Sequence, residues 1–346
     1  MGKRALIHAT EYQDIYKFVV AELENQGWEV DVVKDRHFEG DPKYNSSRLA
    51  KFVKQYVKFG KYKNWEPRVE QLWGGVIPYL SNHYDIFICI NALSITKSIL
   101  EFIKKRTNRT VLYLFDSCSL IDFTDIARHF DTAYTFDYLD SLRYHALNLL
   151  PNFYTEPPHT LNADHKYSAM MIGGWQNDRL NFIHALAQEL DRKGISDYLF
   201  KLLSPKLPPL RKRLFKDYKL SKQFSKGLLE QFKLKATIPP HQYMEIMEQS
   251  GIIVDDVRIK QSGLTPRFIW ALARNKKIIT TNQYALQYNF VAPENVCIVD
   301  RKNPIIPKEF LERDPVQNPD NLSFLEIKNW VRIITDEEPL PNFTFK

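Results

Sequence analysis

The chain has 346 residues, 44% of them hydrophobic and 26% charged, with a formal net charge of +7. That length fits about two domains, and the composition is that of a folded globular protein, which excludes wholesale disorder and fibrous architectures. The three cysteines, Cys89, Cys118 and Cys297, lie far apart, which argues against a zinc ribbon or a disulfide framework and for a reducing cytoplasm.

No apolar run nears the ~20 residues of a membrane-spanning helix. The apolar stretch Ala5 to Ile7 is too short for a secretory signal, and Leu6 stands where a myristoylation motif needs Ser or Thr. Arg4 to His8 reads as a short buried strand, and Ile15 to Glu24 has helical spacing at Ile15, Phe18, Val19 and Leu23. Gly27 stops that helix, and Trp28 to Val33 alternates as a second strand. Next come a strand at Tyr84 to Ile90, a helix at Ser94 to Lys105 and a strand at Thr110 to Phe115. Asp122 to His129 reads as a short helix, Thr132 to Phe136 as a strand and Leu139 to Asn148 as a helix. Pro151 to Ala163, with Pro157-Pro158 inside it, has no periodicity and reads as a linker.

The pattern then restarts. Tyr167 to Ile172 is a strand, followed by Gly173-Gly174 and a helix from Asp178 to Lys193. Leu199 to Leu203 and Ile252 to Val254 read as strands, Thr265 to Arg274 as a helix, and Lys277 to Thr281 and Val296 to Asp300 as the last strands. Strands alternating with helices at this pace imply βαβ units and parallel sheets. The expected class is α/β: two doubly wound, Rossmann-like domains over residues 1–155 and 156–319, facing across a cleft. A tail over 320–346 has helical apolar spacing (Phe324, Ile327, Trp330, Val331, Ile334) and is expected to pack back on the first domain.

Two segments are strongly basic. Arg48 to Lys63 carries Arg48, Lys51, Lys54, Lys58, Lys61 and Lys63 with no acidic residue, and Leu49, Phe52, Val53 and Tyr56 give it an apolar face. Lys201 to Lys235 is opposed only by Asp217 and Glu230. Each can be a solvated helix face, and the first also suits anionic lipid headgroups. Nucleic acid is not an expected partner, because neither a groove-entering motif nor an aromatic stacking platform is visible.

Two loops could carry chemistry. After the strand ending at Asp255-Asp256, Ser262-Gly263 leads into a helix opening at Thr265, with Pro266 in its first turn. Backbone N–H groups from Gly263 to Arg267 at such a helix end suit phosphate, with Arg267 adding a charge-assisted contact; an ordinary helix capped by Thr265 is the plain alternative. Gly173-Gly174 lets backbone approach a ligand closely, with Arg179 as a second cation, or makes a tight turn with no ligand. The spacing is that of neither a dinucleotide fingerprint nor a P-loop.

The string SGLTPRFIWALARNKKIITTN, then Tyr288-Asn289-Phe290 and VCIVDR, resembles the donor-binding half of GT-B glycosyltransferases, bacterial enzymes of lipopolysaccharide and capsule synthesis above all. Upstream, YDIFICINALSITKSILEFIKKR, TVLYLFDS, FDTAYTFDYLDSLRY and LNLLPNFY are similar to the acceptor domain and crossover of that group. The resemblance, from about Tyr84 to Arg301, implies transfer of a sugar from a nucleotide-sugar to a glycan or lipid-linked acceptor. Carried over to this chain, Ser262, Gly263, Leu264 and Thr265 hold the donor diphosphate with their backbone and Arg267 lies beside it. Gly173, Gly174 and Arg179 face the same phosphates. The resemblance further implies a cytoplasmic enzyme, peripheral on the inner face of the plasma membrane, with no cofactor beyond its substrate. Asp255-Asp256 lacks Asp-x-Asp spacing, so no metal is expected.

An inverting reaction needs a base for the acceptor hydroxyl, whereas a retaining one needs mainly support for the departing diphosphate. Asp116, after the strand at Thr110, is the first candidate, though it also suits a turn. His8, near Glu11, is second and Asp137 third. Members of the group carry a glutamate for the donor ribose in a T-x-R-x-x-E-A-L string; here Trp270 takes its place, and an indole only donates. A nucleotide-sugar-binding homologue without transferase activity, or a nucleotide-sugar epimerase, therefore stands beside the transferase reading.

Overall fold

The computed structural model describes residues 2–9, 15–34, 66–155, 165–203, 226–234, 236, 238–318 and 320–343. The basic segment Arg48 to Lys63, Glu11, most of the predicted linker and the greater part of the second basic segment lie outside them. The chain divides into two compact units. One comprises Met1–Thr155, Ile259–Leu264 and Ser323–Asn342; the other comprises Glu156–Arg258, Thr265–Leu322 and Phe343–Lys346.

The first unit runs β1 (Arg4–Ala9), α1 (Ile15–Asn25), β2 (Glu29–Lys34), α2 (Glu66–Val76), β3 (Ile86–Ile90), α3 (Lys97–Lys104), β4 (Thr110–Leu114), α4 (Thr124–Ala127), β5 (Thr132–Thr135), α5 (Tyr138–Arg143) and β6 (Asn148–Leu149). Its sheet is wholly parallel, in the order β2-β1-β3-β4-β5-β6. The central strands, IFICI and TVLYL, are buried at every residue, as a sheet covered on both faces requires. Alternate residues serve opposite cores. Ile86, Ile88, Val111 and Tyr113 join Val19 and Leu23 of α1, while Phe87, Cys89, Leu112 and Leu114 join Trp73, Ile99 and Ile103. Gly27, at φ 84°, closes α1 with Trp28 N–H donating to Leu23 O at 3.0 Å, a left-handed stop that glycine adopts without strain.

The C-terminal helix Ile327–Ile334 completes the first of these cores. Trp330 is fully buried, edge-on to Tyr113 (4.8 Å) and Phe153 (4.9 Å), and its indole N–H donates to Pro151 O at 3.0 Å.

The second unit runs β7 (Tyr167–Gly174), α6 (Asn177–Arg192), β8 (Tyr198–Leu203), α7 (Lys226–Phe232), β9 (Lys233–Leu234), α8 (Pro240–Glu248), β10 (Ser250–Asp255), α9 (Pro266–Ala273), β11 (Lys277–Thr280), β12 (Val296–Ile298) and α10 (Lys308–Glu312). This sheet is also wholly parallel, in the order β12-β11-β10-β7-β8-β9. Both units are thus doubly wound, as the alternation of strands and helices predicts. Thr265 caps α9 by accepting from Phe268 N–H at 3.2 Å, with Pro266 at its first position. Lys277 donates to the carbonyls of Phe310, Leu311 and Arg313 at 3.0, 2.8 and 2.8 Å, satisfying the end of α10.

Some boundaries differ from the sequence reading. The helix expected over Leu139 to Asn148 ends at Arg143, and Asn148–Leu149 pairs with β5 as an edge strand. Tyr84 makes only an isolated bridge to Thr107. Helices α2, α7, α8 and α10 and the short strand β9 have no counterpart in the sequence reading. Only Met247 of α8 is buried, too little for a 3.6-residue pattern.

Candidate functional site

In the second sheet the chain runs outward from β7 through β8 and β9, then returns to β10 and proceeds the other way. The switch point lies between β7 and β10, where the carboxyl ends of open α/β sheets bind ligands. Gly173-Gly174 ends β7 there, and Asp255 ends β10 with Asp256 next.

Two arginines converge on this point. Arg179 of α6 donates from Nε to Asp256 Oδ2 at 2.9 Å, from Nη2 to Asp256 O at 3.0 Å and from Nη1 to Gly174 O at 2.9 Å. Arg267 of α9 donates from Nη1 to Asp255 Oδ1 and from Nη2 to Ile172 O, both at 3.1 Å. A Cβ on Gly173 would stand 3.3 Å from Arg267 Nη2 and 3.4 Å from Arg179 Nη1, so glycine is what lets both guanidiniums lie against β7. Arg301 pairs with Asp256 Oδ1 at 2.5 Å and with Asp178. Thr265 Oγ1 donates to Asp255 Oδ1 at 2.7 Å.

Asp255 and Asp256 are buried. Burial pushes the Asp255 carboxyl above its usual range against the pull of Arg267 and Thr265. A guanidinium has five N–H donors, so these contacts leave N–H groups over on both Arg179 and Arg267. One turn beyond Arg267, half-buried Trp270 packs edge-to-face on Tyr243 of α8, with ring centroids 5.9 Å apart. The Tyr243 phenol engages the Arg267 guanidinium, and burial raises its pKa.

The predicted donor-site residues divide between the units. Gly173, Gly174, Arg179, Thr265 and Arg267 come together in the second. Ser262, Gly263 and Leu264 belong to the first, where Asp137 accepts from Ser262 N–H (2.7 Å), Ser262 Oγ (2.5 Å) and Gly263 N–H (3.1 Å). Leu264 O accepts from Asn152 Nδ2 at 2.8 Å. A Cβ on Gly263 would stand 2.5 Å from Phe136 O, so that glycine answers a close backbone approach. A phosphate at these amides would have to displace the Asp137 carboxylate.

The candidate bases also differ in setting. The switch point of the first sheet lies between β1 and β3. His8 on β1 is fully buried, its Nδ1 3.6 Å from Cys89 Sγ and its ring 5.6 Å from that of Trp73. Asp116, half-buried after β4, accepts from Asn91 Nδ2 at 2.9 Å. Asn91 Oδ1 in turn accepts from Phe115 N–H at 2.8 Å, and Asn91 holds φ 51° at the end of β3. Asp137 caps α5, accepting from Asp140 N–H at 3.2 Å, and is buried under Ser262. Burial pushes the Cys118 and Cys297 thiols up to about 12 and about 11, unsuited to nucleophilic work.

Sequence reasoning missed the partners of these groups: Asn91 at Asp116, Tyr243 and Asp255 at Arg267, and Arg301 at Asp256. Two carboxylates closing the apolar strand IIVDD are the available signal, since buried carboxylates need cations. Among the described residues, no group of three or more His, Cys, Asp or Glu side chains could hold a metal ion, and no helix is long and apolar enough to cross a membrane.

No protein-family model matches the chain, and no curated protein matches its sequence. Solved structures match its fold. The UDP-forming α,α-trehalose-phosphate synthase of Burkholderia xenovorans, in complex with glucose-6-phosphate, aligns at a TM-score of 0.54 and 10% identity over 97% of this chain and 99% of that one. The α,α-trehalose 6-phosphate synthase of Burkholderia multivorans aligns at 0.48 and 10% identity over 97% and 93%. An Escherichia coli heptosyltransferase with ADP aligns at 0.32 and 14% identity over 97% and 100%. At such identity the likeness to the Burkholderia xenovorans structure is one of fold alone: two parallel-sheet α/β units of the GT-B glycosyltransferase type.

Proposed function

We propose that the chain is a glycosyltransferase that moves a sugar from a nucleotide-sugar to a glycan or lipid-linked acceptor in bacterial surface polysaccharide synthesis. The observation that carries this reading is the meeting of Arg179 and Arg267 on Gly173-Gly174 at the switch point of the second sheet. Two guanidiniums against backbone without side chains suit a diphosphate, whose charge grows as the glycosidic bond breaks. The trehalose-phosphate synthase of like fold is UDP-forming, which agrees with a nucleotide-sugar donor.

In this reading Thr265 and Arg267 on α9 and Gly173, Gly174 and Arg179 after β7 hold the donor. Ser262, Gly263 and Leu264 shape the approach to Thr265. Asp116, oriented by Asn91, takes the acceptor proton, with His8 as the weaker candidate because it is buried. The guanidiniums fill the electrostatic role, so activity is expected to survive EDTA. The basic segment Arg48 to Lys63 would draw the enzyme to an anionic membrane surface.

One observation favours a second reading, a nucleotide-sugar-binding homologue that does not transfer: Asp255 and Asp256 already neutralise the arginines. A thermal-shift screen against UDP-, GDP-, CMP- and ADP-sugars, followed by transfer of labelled sugar to a lipid-linked glycan, separates the two. A ligand at ~100 times its Kd adds about 2.7 kcal/mol, several degrees of melting temperature. A shift lost in Arg267→Ala with turnover supports the transferase. The same shift without turnover supports the second reading, and no shift with any donor refutes both.

A further inference from the structure

On α9, Phe268, Ile269, Ala271 and Leu272 are buried. Arg267 and Trp270 stand three residues apart on another face. Both meet Tyr243 of α8: its phenol engages the Arg267 guanidinium, and its ring packs edge-to-face on the indole. Core packing accounts for the four buried side chains of the helix, but Trp270 and Tyr243 are only half-buried. They form an aromatic surface continuous with the guanidinium that lies on Gly173.

One turn of helix separates Arg267 from Trp270, about 4.5 Å of rise. A group bound by the arginine and extending along α9 would therefore meet a π face. Anion followed by flat aromatic ring is the chemistry of a nucleoside diphosphate. An indole has no acceptor for ribose hydroxyls, so recognition in this direction would come through the base. Stacking tolerates every base, because each has a π face.

We infer that Trp270, backed by Tyr243, is the stacking platform for the base of a nucleotide whose phosphates lie on Arg267 and Arg179. This rests on the donor site proposed above and adds how its nucleoside is read. Because the platform recognises the ring and not the phosphates, its removal has a signature that general damage to the site lacks.

The test is calorimetric titration of the full chain with UDP, GDP, ADP and inorganic pyrophosphate, which has no base. Trp270→Ala is expected to weaken the tightest-binding nucleoside diphosphate about tenfold or more, while pyrophosphate affinity stays within about twofold. Trp270→Phe, which keeps a π face, should restore nucleotide affinity to within about threefold of the parent. Arg267→Ala should weaken nucleotide and pyrophosphate alike. If nucleotide binding survives Trp270→Ala but not Arg267→Ala, the platform is refuted and the donor site stands. Equal losses of nucleotide and pyrophosphate in Trp270→Ala also refute the platform. A parent chain that binds pyrophosphate but none of the three nucleotides refutes the platform, and one that binds none of the four ligands overturns platform and donor site together.

Discussion

Asp137 offers the sharpest test of how the loop 259–264 is held. Its Oδ2 accepts from Ser262 N–H and Gly263 N–H, and its Oδ1 from Ser262 Oγ and Asp140 N–H, all away from water. In Asp137→Ala these donors lose their acceptor, and each buried donor left alone costs about 1–3 kcal/mol. The Ser262 hydroxyl can turn to another acceptor, and deleting a buried carboxylate returns its desolvation cost, so the net loss should be about 3–5 kcal/mol. Asp137→Asn keeps the shape, but its NH2 must face a donor on one side. Turned toward Ser262 Oγ it loses the Asp140 cap and the acceptor of the Ser262 hydroxyl proton, a loss of about 2–3 kcal/mol. Urea unfolding followed by tryptophan fluorescence reads both, because Trp73 and Trp330 are buried in the same unit. With an m-value of about 2 kcal/mol/M the alanine variant should unfold roughly 2 M earlier. Asp125→Ala, which breaks an exposed pair with Lys97, is the control and should cost under about 1 kcal/mol. An Asp137→Ala midpoint no lower than that of the control would refute the anchoring role.

Gly263→Ala drives a Cβ to 2.5 Å from Phe136 O, and should cost about 3 kcal/mol in the same assay; a neutral result would mean the loop is free to shift. At Gly173 the opposing atoms are the tips of two arginines, so Gly173→Ala should fold with a melting temperature within about 2 °C of the parent yet lose nucleotide affinity. Trp330→Ala should cost about 3–5 kcal/mol in urea and make the C-terminal helix sensitive to protease. Lys276 donates to Glu248 O at 2.8 Å, and burial lowers its pKa from 10.5 to about 8. Between those values the unfolded chain binds the extra proton, so this group makes stability rise with pH through that window. The stability of the parent minus that of Lys276→Met should therefore increase from pH 7.5 to pH 10, and parallel curves would refute the shift.

The strands were legible because their chemistry is local. IFICI and TVLYL are apolar throughout, and a sheet covered on both faces asks for that. The start of α9 was legible for a similar reason, with Thr265 and Pro266 each suited to its own position. The end of α5 was not, because the apolar residues after Arg143 continue a helical rhythm while Leu149 in fact joins the sheet edge. The site was half legible. Gly173 and Gly263 look alike in sequence, yet one makes room for two guanidiniums and the other for the backbone of Phe136. Ser262 and Asp137 are 125 residues apart, and Arg179 and Asp256 are 77 apart. No local propensity couples such pairs; the tertiary fold brings them together, at the second sheet's switch point for Arg179 and Asp256 and beyond the end of β5 for Ser262 and Asp137.

The C-terminal helix has a consequence for biogenesis. The first unit holds residues 1–155 but needs Trp330 to cover Tyr113 and Phe153. A ribosome adding 5–20 residues per second takes roughly 10–35 s to travel from one to the other. Throughout that interval an aromatic face of the first sheet stands uncovered on the nascent chain. Synthesis of the helix Ile327–Ile334 is therefore the step that turns a much earlier-made sheet from a chaperone client into a finished unit. A ribosome-stalled chain ending before Trp330 should cross-link to chaperones far more strongly than one extended past Ile334.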